Sequence, residues 1–91
     1  MESAVHNELP IQDIKQKIEF TQRYLKPLLQ VVNPSIFSVV YDYCAPNNVV
    51  IDEHITVYFS GGSFLCVGVT RSSLAQIALD TIKVVVGEVK T

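Results

Sequence analysis

Charge is what this sequence has least of: Asp, Glu, Lys and Arg make up 18% of its 91 residues, against roughly 25% in an average soluble domain. The seven Lys and Arg are scattered and the formal net charge is −2. With no basic run, the electrostatic stripe that nucleic acid or an anionic membrane requires is excluded. Long apolar runs are missing too, and none approaches the roughly twenty residues that cross a bilayer. The opening Met1-Glu2-Ser3-Ala4-Val5-His6-Asn7 lacks the basic start and apolar stretch of a signal peptide, so a cytoplasmic location is expected. Two cysteines, Cys44 and Cys66, are too few for a disulfide framework and stand in no metal-ligand spacing. They are expected to be free thiols serving as small core residues of strands.

What the chain has instead is apolar bulk, 48% of its residues. That is enough to bury a core, which argues against disorder. The length suits one domain and not two. A flexible N-terminal arm over residues 1–9 and a single domain over 10–91 are expected. Small domains bury a smaller share of their surface, so the apolar surplus points to a homo-oligomer.

From Ile11 the apolar residues fall at 11, 14, 18, 25, 28, 29 and 32, with Thr21 filling the gap, the stripe of an amphipathic helix. Pro10 suits its first turn and Asp13 its positive end. Pro27 predicts a kink, or a break at which a second short helix opens. Three strands follow: Ser35 to Cys44, Val49 to Ser60 and Ser63 to Thr70, joined by an Ala45-Pro46-Asn47-Asn48 turn and by Gly61-Gly62. Ser73 and Gln76 fit a capping box opening a last helix, whose inner stripe is Leu74, Ile77, Ala78, Ile82 and Val85. Gly87 suits its C-terminal cap. The expected fold is α+β in two layers (αβββα), a three-stranded antiparallel sheet with both helices on one face.

Ile55, Val57 and Phe59 should meet the helices. A three-residue loop or bulge at the glycines brings Leu65, Val67 and Val69 beside them, and a two-residue turn brings Phe64 and Cys66 instead. Either way apolar side chains remain outside. Tyr41, Tyr43, Tyr58 and Phe64, joined by Phe20 and Tyr24 one helical turn apart, are the candidate interface aromatics.

Catalytic chemistry is hard to assemble. In Asp52-Glu53-His54, strand alternation lets Asp52 and His54 share a face and excludes Glu53, so the cluster is read as a solvated strand segment, one ligand short of a catalytic metal site. No histidine stands near a nucleophile in a recognisable motif, and Gly61-Gly62 is a turn rather than a phosphate loop. No enzyme activity, metal or cofactor is expected. Thr70, Arg71, Ser72 and Ser73 combine hydroxyls, a guanidinium and a helix start, a pattern that suits either an anion or plain capping.

The order helix, three strands, helix resembles that of double-stranded RNA-binding domains. Their lysine cluster is replaced here by Ser73-Leu74-Ala75-Gln76-Ile77-Ala78, so that resemblance extends to topology and not to RNA binding. A second resemblance rests on Leu25-Lys26-Pro27 through Asn33-Pro34, Ile55-Thr56-Val57, the glycine turn, Val67-Gly68-Val69-Thr70 and Ser73-Leu74-Ala75 to Asp80. These stretches are similar to a group of small uncharacterised proteins encoded in prophages of Gram-positive gut bacteria. That group usually has an acidic residue before the helix-start serine, where this chain has Ser72 preceded by Arg71. The resemblance implies a small accessory phage protein in the host cytoplasm. The expected function is then non-catalytic countering of host defence, by docking on a defence protein or by sequestering a nucleotide signal between the aromatics and Arg71. The alternative is an oligomeric structural or assembly protein of a phage.

Overall fold

The computed structural model describes residues 11–89; the expected N-terminal arm and Pro10 lie outside them. The first helical segment runs as α1 (Ile11–Phe20), a wide π turn (Thr21–Leu25) and α2 (Lys26–Val32). Pro27 is the cause. In a regular helix its ring would press on the Arg23 carbonyl, and its missing N–H would leave that carbonyl bare. The spiral therefore opens just before it, and the Lys26 N–H reaches back five residues to the Thr21 carbonyl. The expected kink or break takes the form of this local widening.

The extra residue in that turn means that positions on either side of it cannot share one 3.6-residue stripe. Ile14, Thr21, Leu25 and Leu29 are buried, whereas Ile18 and Leu28, expected inward, are exposed. Lys17 turns inward instead.

Strands β1 (Ile36–Cys44), β2 (Asp52–Phe59) and β3 (Phe64–Gly68) form one antiparallel sheet in the order β1-β2-β3. A 3₁₀ turn at Pro46–Asn48 links the first two, with Asn47 at φ +56°, a conformation its short polar side chain tolerates. The hairpin between β2 and β3 settles the register. The Phe59 N–H donates to the Ser63 carbonyl at 2.9 Å, which leaves Ser60, Gly61 and Gly62 as a three-residue loop with Gly62 at φ +98°. Ile55 accordingly pairs with Val67 and Val57 with Leu65, all on one side.

Helix α3 spans Leu74–Val89. Its capping box is half made: Ser73 Oγ accepts the Gln76 N–H at 3.1 Å, but the Gln76 side chain donates forward to Asp80 at 2.7 Å. Gly87 does not cap the helix, because it lacks the positive φ that a C-terminal cap takes, and the helix passes through it. The α1–α2 segment packs on β1, α3 packs on β3, and α2 touches α3. The result is the two-layer α+β fold, with Leu25, Leu29, Val39, Ile55, Ile77 and Val85 at the centre of the core.

Candidate functional site

Alternation along β2 sends Glu53, Ile55, Val57 and Phe59 toward the helices and Asp52, His54, Thr56 and Tyr58 away from them. Glu53 is therefore no part of a solvated segment. It is completely buried, and its carboxylate is fully engaged. Oε1 accepts from Lys17 Nζ at 2.6 Å and from the Tyr41 hydroxyl at 2.7 Å. Oε2 accepts from the Arg71 N–H at 2.7 Å, an approach made possible by the left-handed backbone of Arg71 at φ +62°. Burial alone would raise the Glu53 carboxyl; the bonds from Lys17, Tyr41 and Arg71, with the charge of Lys17, outweigh it and hold the group below the usual carboxylate range. Tyr41 is pushed the other way, well above the ordinary phenol value, by burial first and by Glu53 second. A carboxylate so enclosed is a structural clasp joining α1, β1, β2 and the β3–α3 loop, out of reach of any substrate.

This clasp changes the reading of Thr70, Arg71, Ser72 and Ser73. The anion held by the backbone at this corner is the protein's own Glu53. Thr70 Oγ1 accepts the Glu53 N–H at 3.0 Å, the Ser72 N–H goes to the Val69 carbonyl at 3.0 Å, and Ser73 Oγ is spent on its helix cap. The Arg71 side chain is exposed and, among the described residues, forms no ion pair.

The candidate aromatics divide among three places. Tyr41 is buried with its hydroxyl on Glu53, so it is no surface residue. Tyr43 lies on the same side of β1, partly exposed, with its ring 6.0 Å from that of Tyr41. Phe20 is half-buried against the core beside the exposed Tyr24, with ring centroids 6.1 Å apart. Tyr58 and Phe64 lie on the opposite face of the sheet, and there a third ring joins them. An irregularity in β1 between Ile36 and Ser38 turns Phe37 outward. Phe37 stacks 6.4 Å from Tyr58, and Tyr58 stands 6.0 Å from Phe64. Their exposures of 56%, 39% and 61% are high for adjoining rings.

No described element covers this outer face. Its hairpin end is the aromatic trio, its middle is Val40, Thr56 and Cys66, and its far end is polar. There His54 stands between Asp52, at 3.7 Å, and Asp42, its cross-strand partner, at 4.0 Å. Among the described residues no group of three or more metal-ligating side chains comes together. Both cysteines are exposed on the strands rather than in the core; Cys66 is the cross-strand partner of Thr56, whose Oγ1 is 3.8 Å from its sulfur. A cleft of about 440 Å³ between Asn33–Ser35 and the hairpin loop shares Phe64 with the outer face. Among the described residues no helix is long and apolar enough to cross a membrane.

Compared with known proteins, the chain matches no family model, no curated protein and no solved structure.

Proposed function

We propose that this chain is a non-catalytic binding protein of the prophage type, which counters host defence by docking on a defence protein through its uncovered sheet face. The observation that carries this reading is the contiguous trio Phe37, Tyr58 and Phe64, exposed on a face that no described element covers. Large apolar patches left open on a small domain mark an interface, and aromatic rings are the usual anchors of one. The prophage resemblance supplies the biological setting. Sequestering a nucleotide is less well supported. Phe64 opens β3 and Arg71 lies in the loop past its far end, so the length of that strand, roughly 13 Å, stands between them, and two carboxylates on the face repel phosphate.

A second reading, an oligomeric structural or assembly protein of a phage, is favoured by another surface. Tyr24, Leu28 and Val31, spaced as one helical stripe, are all exposed, Val31 at 80%.

Native mass spectrometry of the protein purified gently from its host tests the choice. A discrete complex with one other protein, lost in Phe64→Asp, supports docking. A large homo-oligomer that survives Phe64→Asp favours the assembly reading, and added mass of a few hundred daltons would revive the nucleotide.

A further inference from the structure

The outer face has a size and a charge pattern that together describe its occupant. Resting on the docking role proposed above, we infer that it takes one amphipathic α-helix of the partner, apolar at one end and basic at the other, laid along the strands. Three strands spaced about 4.8 Å apart and the length of β2 make a face of about 14 by 27 Å. A second copy stacked sheet on sheet would bring no Lys or Arg of its own to Asp42 and Asp52. The face is instead wide enough for a single helix about 10 Å across. With that helix in place the sheet would be covered on both sides.

The two ends of the face set the sequence of the helix. Phe37, Tyr58 and Phe64 offer a rough apolar seat at the hairpin end. Asp52 lies six residues back along β2 from Tyr58, about 20 Å, which a helix covers in about thirteen residues. Asp42 stands beside it with His54 between. No Lys or Arg belongs to the outward positions of the strands. Arg71, on the neighbouring loop, gives its backbone to Glu53 on the helix side. Two carboxylates at one end therefore favour Lys or Arg in the partner. Between the ends, Thr56, Cys66 and Gly68 are small enough to let a helix backbone come close.

The test uses a displayed library of random helix-forming peptides about twenty residues long, selected on the full-length protein and compared on two variants. Phe64→Asp and the double variant Asp42→Lys/Asp52→Lys replace exposed side chains, and circular dichroism checks that both keep the fold. The inference expects winners with apolar residues at i, i+3, i+4 and i+7 at one end and Lys or Arg about thirteen residues away. Their binding should disappear on Phe64→Asp and weaken about tenfold on the charge-reversed protein. Winners that need Phe64 but carry no basic end, and bind the charge-reversed protein equally, overturn the inference and leave the docking role standing. Winners indifferent to Phe64→Asp, or none at all, overturn the inference, and the docking role falls as well if the complex seen by native mass spectrometry survives Phe64→Asp.

Discussion

The Lys17 ammonium donates to the Glu53 carboxylate at 2.6 Å, joining residues 36 positions apart across the domain. Neither residue belongs to the apolar pattern of its element, yet each sits at an inward position. Lys17 follows Ile14 by one turn of α1, and Glu53 precedes Ile55 by one period of β2. The pair does more than neutralise charge, because Tyr41 and the Arg71 N–H complete the carboxylate's partners. Four separate segments are thereby fixed to one group.

Removing either partner alone should be costly. Lys17→Met leaves a buried carboxylate short of its cation, and Glu53→Ala leaves a buried ammonium. Each should lose about 3–5 kcal/mol, a large share of the roughly 5–15 kcal/mol that holds a typical domain together. Lys17→Met/Glu53→Leu removes both charges and should cost less than either single change. Urea unfolding of the three variants checks this, and a double variant less stable than both singles would contradict it.

The same clasp sets the pH limits of stability. Glu53 is depressed in the folded state, so its contribution is complete above the ordinary glutamate range and is lost as pH falls through that range and below it. Tyr41 is raised, so its contribution is complete below the ordinary phenol value of 10.0 and drains away as pH climbs beyond it. The expected profile is a plateau with an acid shoulder and an alkaline one. Glu53→Gln should flatten the acid shoulder and Tyr41→Phe the alkaline one, read from thermal melts at stepped pH.

The sheet was legible because Ile55, Val57 and Phe59 alternate cleanly and the glycines announce a hairpin. The register was not, since two- and three-residue loops both fit Gly61-Gly62; the Phe59–Ser63 bond decides it. In the candidate site, parity with Ile55 was enough to place Glu53 inward. What hid it was its setting between Asp52 and His54, which reads as a wet segment, together with a partner 36 residues away. Phe37 could not be singled out from its neighbours on β1 for a different reason. A β1 irregularity turns it to the outer face, and no local signal marks that irregularity. Tyr41 was misplaced among surface aromatics because alternation in β1 cannot say which face the helices cover.

Arg71 is held in a left-handed conformation for the sake of its backbone N–H, not its side chain. Arg71→Gly should keep the bond to Glu53, relieve the strained backbone and raise stability by about 0.5–1 kcal/mol. Arg71→Pro removes the N–H and cannot adopt that φ, so it should destabilise by about 3 kcal/mol or more. Chemical denaturation of both variants reads the contrast. If Arg71→Gly also abolishes binding of a small anionic ligand, the guanidinium has a role beyond the fold.

Two glutamines guard the edge of β1. Gln22 Nε2 donates to the Val39 carbonyl at 2.7 Å and Gln30 Nε2 to the Ile36 carbonyl at 3.1 Å. An unguarded edge strand is a template for pairing with another chain. Gln22→Ala/Gln30→Ala should cost about 1–3 kcal/mol and increase self-association, visible as a concentration-dependent rise in sedimentation coefficient. An unchanged coefficient would mean that the helices alone shield the strand.

Thr81 gives the last prediction its sign. It is fully buried in α3, and among the described residues its hydroxyl finds no hydrogen-bond partner. Leaving such a group unpaired costs about 1–3 kcal/mol. Thr81→Val keeps the branched shape, has nearly the same helix propensity and removes the orphan, so it should raise stability by about 1 kcal/mol. Thr81→Ser keeps the hydroxyl but deletes a packed methyl, and should lower stability by about 1 kcal/mol. The opposite order in urea midpoints would mean that the hydroxyl is satisfied, by a buried water or by an oligomeric neighbour, and that α3 is not an all-apolar contact at this turn.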